Sequence, residues 1–68
     1  MNIKVNGETT EISPGLTLHQ LLVNLDIDPS RPGIAVAIDQ EVIPRTQWDA
    51  TEIRQESEIE IIRAAQGG

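Results

Sequence analysis

Residues 2–25 read NIKVNGETTEISPGLTLHQLLVNL, a stretch that lays out a hairpin followed by a capped helix. Asn2-Ile3-Lys4-Val5 alternates polar and apolar side chains, the period of a strand with one buried face. Asn6-Gly7 follows as a strong hairpin signal, because both residues accept the positive φ that a type I′ turn demands. Glu8 to Ile12 reads as the returning strand. Ser13-Pro14-Gly15 stops it, since proline cannot donate to a ladder and glycine bends freely. Thr17 is the expected N-cap and Gln20 completes a capping box, with Leu16 and Leu21 at the positions of a hydrophobic staple. Leu18, Leu21, Leu22 and Leu25 recur at i, i+3, i+4 and i+7, one stripe of a helix that must bury against a neighbour. The preceding hairpin is the nearest such neighbour. Asp26-Ile27-Asp28-Pro29 ends the helix.

Downstream, Pro29-Ser30-Arg31-Pro32-Gly33 is a stiff, turn-rich loop. Ile34-Ala35-Val36-Ala37-Ile38 is the most strand-like segment, with large residues alternating against alanines. Asp39-Gln40 turns it back into Glu41-Val42-Ile43, and Pro44 closes that strand, as suits a sheet edge. Arg45 to Gln55 is irregular and carries Trp48, which we read as a lid over the edge of the sheet rather than a binding anchor. Glu58-Ile59-Glu60-Ile61-Ile62-Arg63 is the last strand, alternating until Ile62 breaks the pattern. The order is ββαββ plus a final strand, an α+β layout of one helix on a mixed sheet.

Composition bounds the function. Sixty-eight residues make one small domain, and a chain near this size buries only about 60% of its unfolded surface. With no Cys, disulfides, thiolate metal sites, iron–sulfur ligation and Cys nucleophiles are excluded. His19 is the one histidine, too few for a zinc cluster or a triad. Stability falls to aliphatic packing by ten Ile, five Leu and four Val. The net charge of −6 and the scattered basic residues oppose nucleic-acid binding and anionic membranes, and favour encounter with a basic protein surface. No apolar run approaches the ~18–20 residues of a spanning helix. A soluble, cytoplasmic protein is the expectation.

Candidate chemistry mostly fails. Asp26-x-Asp28 suggests a calcium loop, but Arg31 and Ala37 stand where the loop needs its Gly and Glu. Glu58 and Glu60 share a strand face, with no pocket to make them a catalytic pair. Gly7, Gly15 and Gly33 are isolated in turns, so there is no phosphate-binding loop. What remains is Gln66-Gly67-Gly68. A terminal Gly-Gly arises by chance in about 0.5% of chains, at ~7% glycine usage. The last strand runs almost directly into it, giving one domain over residues 1–64 and a flexible diglycine tail over 65–68. Four residues beyond Ala64 reach about 13–14 Å when extended, enough to thread a narrow cleft. Glycine offers no Cβ to obstruct that cleft. A terminal carboxylate, with a reference pKa of ~3.3–3.7, is ionised at neutral pH and available as an oxygen nucleophile.

The Asn-Gly hairpin, the single helix, Ile34-Ala-Val-Ala-Ile38, Val42-Ile43-Pro44-Arg45 with Trp48 soon after, and Ile59-Glu60-Ile61-Ile62 leading to Gly67-Gly68 together resemble the ThiS family of thiamine-biosynthesis sulfur carriers. The resemblance spans the whole chain. It departs at Gln55-Glu56-Ser57, where the family pattern has a Gly-Asp turn. It implies a ubiquitin-like β-grasp fold, a mixed sheet of about five strands on one helix. It also implies a protein cosubstrate rather than an enzyme. The Gly68 carboxylate would attack the α-phosphate of ATP in an E1-like adenylating partner of ThiF type. Sulfur from a cysteine persulfide donor would then displace AMP to leave a thiocarboxylate. A thiazole synthase of ThiG type would receive that sulfur. On this reading ATP and magnesium belong to the adenylating partner, and no cofactor is bound by the chain itself.

A docking surface follows from the strand pattern. If Ile34, Val36, Ile38, Ile59 and Ile61 face the helix, Ala35, Ala37 and Ile62 share the open face of the sheet. They form a small apolar patch beside the tail, rimmed by Glu58 and Glu60. The alternative is that Ile62 covers its own sheet with Trp48. Competing functions are a small subunit of molybdopterin synthase, a noncovalent β-grasp binding module, and a protein modifier forming isopeptide bonds.

Overall fold

The structure, a computed structural model, describes residues 1–64; the expected tail over 65–68 lies outside the described residues. Strands β1 (Asn2–Val5) and β2 (Glu8–Glu11) form the first hairpin. Asn6 and Gly7 take φ of 51° and 83°, the doubly left-handed turn that asparagine tolerates and glycine, with no Cβ, adopts freely. Strand β2 ends at Glu11, but Ile12 continues the pairing, its N–H donating to the Met1 carbonyl at 2.8 Å and its carbonyl accepting from the Met1 amino group at 2.7 Å, while its side chain packs against the core.

Helix α1 spans Leu18–Asn24, with Thr17 as N-cap and Gln20 completing the capping box. Its first donors are all satisfied. Leu18 and His19 donate their backbone N–H groups to the Thr51 and Trp48 carbonyls (3.0 and 3.2 Å), while Gln20 donates to Thr17 Oγ1 at 3.2 Å. The segment after Trp48 therefore seals the helix entrance, which a cap alone leaves half finished. The helix exit corrects the expected stripe. Leu18, Leu21 and Leu22 are buried, but Leu25 is 37% exposed. Asp26 turns left-handed at φ 60°, and the N–H groups of Ile27 and Asp26 donate to Leu22 and Val23 carbonyls at 2.9 and 3.0 Å. That pair of bonds is a Schellman stop, which reverses the chain and tucks the hydrophobe after it under the helix end. Ile27, not Leu25, completes the apolar face.

Strands β3 (Ile34–Ile38), β4 (Glu41–Ile43) and β5 (Glu58–Arg63) complete one mixed sheet in the order β2-β1-β5-β3-β4. The two chain-terminal strands β1 and β5 lie side by side and parallel at its centre, and β4 is an edge, as its closing proline suggests. Helix and sheet enclose Ile3, Leu18, Leu21, Leu22, Ile27, Val36, Trp48, Ile53, Ile59 and Ile61. The buried cluster thus joins the helix to the three central strands and to the segment around Trp48–Ile53, not to the first hairpin alone. Trp48 follows a 3₁₀ turn over Arg45–Gln47. Its indole N–H donates to the Ile43 carbonyl at 2.8 Å, so it pins the edge strand from the core side. At Gln55-Glu56-Ser57 the turn forms without glycine. Glu56 takes φ 65°, a left-handed conformation that costs about 1–2 kcal/mol for a residue with a Cβ. The buried Ser57 hydroxyl closes the turn onto the Arg54 carbonyl at 2.7 Å.

Candidate functional site

The central position of β5 determines how the chain presents its C-terminal end. On one side, β5 pairs with β3 along its length, from Ile38↔Ile59 to Ile34↔Arg63. The Ala64 N–H then donates to the Gly33 carbonyl at 2.7 Å. On the other side, β1 pairs with β5 only at Lys4↔Glu58 and Val5↔Ile59 before turning away. Asn6 takes over there with its side chain. Its Oδ1 accepts from the Ile61 N–H at 2.8 Å, and its Nδ2 donates to the Ile61 carbonyl at 3.3 Å. The carboxamide acts as one further peptide unit of β1. The strand that leads toward Gln66, Gly67 and Gly68 is held from both sides. Those three residues lie outside the described part.

The open face of the sheet assembles as expected from the alternation, with one addition. Ala35 pairs with Ile62 and Ala37 with Glu60, so the three apolar candidates and Glu60 are neighbours on one face. Ile62 is 60% exposed. Trp48 is in the core on the opposite side, so Ile62 does not share cover with it. Val42, 68% exposed, pairs with Ala37 from β4 and extends the apolar patch. The sequence contains the signal for Val42. A two-residue turn at Asp39-Gln40 sets the register Ile38↔Glu41 and Ala37↔Val42, which places Val42 on the alanine face. Glu58 stands at the other end of β5, opposite Lys4, so Glu60 is the nearer acidic rim.

Beside this strand lies the loop between α1 and β3. Within it, the Ser30 hydroxyl and N–H donate to Asp28 Oδ1 at 2.7 and 2.9 Å. These bonds, helped by Arg31 and Arg45, hold the Asp28 carboxyl below its ordinary value. His19 is exposed, and no group of three or more His, Asp or Glu side chains converges among the described residues. No helix among them is long and apolar enough to cross a membrane.

A five-stranded mixed sheet with parallel β1 and β5 at its centre and one helix across it defines a ubiquitin-like β-grasp fold. The chain matches the ThiS family over residues 3–68 and belongs to that family of small sulfur carrier proteins, which are not themselves catalysts. It is 32% identical over 68 residues to the sulfur carrier protein ThiS of Escherichia coli (strain K12), covering all of both chains. It is 34% identical to the uncharacterized protein ycf40 of Porphyra purpurea, covering all of this chain and 93% of that one. Among solved structures, the crystal structure of the thiamine biosynthesis protein ThiS from Geobacter metallireducens superimposes with a TM-score of 0.83 at 27% identity, with both chains fully covered. A solution structure of a thiamine biosynthesis protein from the same organism gives 0.80 at 28% identity, covering 88% of that chain.

Proposed function

We infer that this chain carries sulfur for thiazole formation in thiamine biosynthesis as a thiocarboxylate on Gly68. An E1-like enzyme of ThiF type binds ATP and magnesium. The Gly68 carboxylate oxygen attacks the α-phosphorus, pyrophosphate leaves, and an acyl-adenylate forms. The terminal sulfur of a cysteine persulfide on the donor displaces AMP to give an acyl disulfide. A second thiol cleaves its S–S bond, ending in a disulfide with the donor cysteine and releasing the thiocarboxylate, which passes to a thiazole synthase of ThiG type. The observation that carries this reading is the end-to-end match to the family, which runs through Gly67 and Gly68. The held β5 strand supports it, because a strand fixed on both sides presents its continuation in a set direction. Intact-mass measurement after incubation with ATP, the adenylating enzyme and a sulfur donor is expected to show one oxygen replaced by sulfur at Gly68. An unchanged mass with a competent partner would overturn the reading. Adding thiazole synthase or the large subunit of molybdopterin synthase then shows which acceptor takes the sulfur.

The open-face patch of Ala35, Ala37, Val42 and Ile62, with Glu60 and Glu58 along β5, is the surface by which the carrier docks on the adenylating enzyme. Ile62→Asp places a charge at the centre of that patch. It is expected to raise the carrier KM at least about tenfold, the scale of a desolvated interface anchor. The thermal midpoint should hardly move, since Ile62 is 60% exposed. Equal KM for the variant and the parent would remove the patch from the docking surface.

A further inference from the structure

Arg45 reaches from the turn after β4 across to the loop before β3. Its Nη1 donates to the Pro29 carbonyl. Its Nη2 donates to the Arg31 carbonyl at 2.7 Å and to the Ile34 carbonyl at 3.5 Å. The guanidinium carbon lies 4.6 Å from the centroid of the Trp48 ring, and that ring is fixed in the core by burial and by its bond to the Ile43 carbonyl. A planar cation with five donors in a fixed fork can serve several carbonyls while stacking flat on an aromatic face, whereas a lysine ammonium offers three donors and no plane to stack. The guanidinium therefore ties residues 29–34 to the core. The same loop ends at Gly33, whose carbonyl accepts the Ala64 N–H at 2.7 Å. That bond is the last described contact before the C-terminal residues.

We propose that Arg45 is a positioning residue for the C-terminal segment, acting through the loop of residues 29–34 and the Gly33–Ala64 hydrogen bond to set the direction in which the chain leaves β5. The functional half of this proposal rests on the reading that Gly68 is the group acted upon. A carrier whose exit is fixed in advance loses less conformational freedom on entering a partner's cleft. Release of the loop should then weaken productive docking, a KM effect. Turnover of the docked tail, which the partner itself holds, should stay nearly constant.

Arg45→Met and Arg45→Lys provide the test, the lysine variant keeping the charge and most of the stem. Amide hydrogen exchange on the free full-length chain is expected to accelerate at Ala64 by about tenfold in Arg45→Met. That is the scale of losing hydrogen bonds from a charged donor. Val36 and Ile61 should exchange at the parent rate, and Arg45→Lys should fall between the two. With the adenylating enzyme, pyrophosphate release is expected to show carrier KM raised about three- to tenfold with kcat within a factor of about two, as for lost preorganisation. Unchanged exchange at Ala64, or equal acceleration at Ala64, Val36 and Ile61 in both variants, would overturn the proposal. So would an unaltered KM in a variant whose Ala64 exchange has risen. If the parent chain itself is not adenylated, the reading of Gly68 fails, while the exchange result alone still decides whether Arg45 fixes the exit of β5.

Discussion

A chain lacking Gly68 is expected to yield no acyl-adenylate and no thiocarboxylate, while melting within about 2 °C of the parent. The chemical half follows from the proposed reaction: the oxygen that attacks ATP sits on that residue. Removing it leaves the Gly67 carboxylate one residue short, about 3.3–3.6 Å back along an extended chain. Misplacement of a reacting group by ~1 Å already costs about a hundredfold in rate, so a full residue of retreat takes activity below detection. The stability half follows from packing. Among the described residues the buried cluster ends at Ile61, and the last few residues of a domain contribute little unless tied down. Pyrophosphate release and a thermal melt on the same sample check both halves. A melting point lower by about 10 °C would show that the C-terminal residues are structural, since a shift of about 4–8 °C corresponds to ~1 kcal/mol in a domain of this size.

Trp48→Ala is expected to be the most damaging single change to the fold, at about 3–5 kcal/mol. Trp48 is the one aromatic residue of the chain and only 2% exposed. Its removal opens a cavity under the edge of the sheet and frees the Ile43 carbonyl. It also removes the ring beneath Arg45. Native domains hold ~0.05–0.15 kcal/mol per residue, so this loss takes much of what a 68-residue chain has. Trp48→Phe keeps a ring but not the indole donor, and should lose about 1–3 kcal/mol, the penalty for a group left without its partner. Denaturant titration should therefore place the alanine midpoint far below the phenylalanine one, with the parent highest. Coincident midpoints for alanine and parent would contradict the role of Trp48 as the pin between edge strand and core.

Much of the fold was legible because it is written in short-range chemistry. Asn6-Gly7 turns left-handed because those residues tolerate it, and Thr17 with Gln20 caps α1 because the partners stand three residues apart. The alternation in Ile34–Ile38 and Glu58–Arg63 assigned Ala35, Ala37 and Ile62 to one face correctly. The helix exit misled, since helical spacing alone puts Leu25 in the stripe. The left-handed turn at Asp26 is needed to see that Ile27 takes its place. Val42 was missed for a different reason: its face depends on the register of the β3–β4 hairpin, not on the pattern of a three-residue strand. Glu56 is a local departure that the sequence pattern did not show, a left-handed turn made by a residue with a Cβ.

The sequence by itself determined the elements, the turns, the cap, the alternating faces and, through its resemblance to the ThiS family, the class of carrier. Those properties depend on side-chain type and on spacings of two to four residues, which every chain displays before it folds. Only the tertiary structure decided that β5 lies between β1 and β3. It also decided that Asn6 clamps Ile61 across 55 residues, and that Arg45 reaches back to Pro29 and Arg31 to hold the loop that meets Ala64. Periodicity says which face of a strand is buried but not which strand lies beside it. That choice depends on how all the apolar faces close around one core at once, and the exit of the chain toward Gly68 is a consequence of that closure.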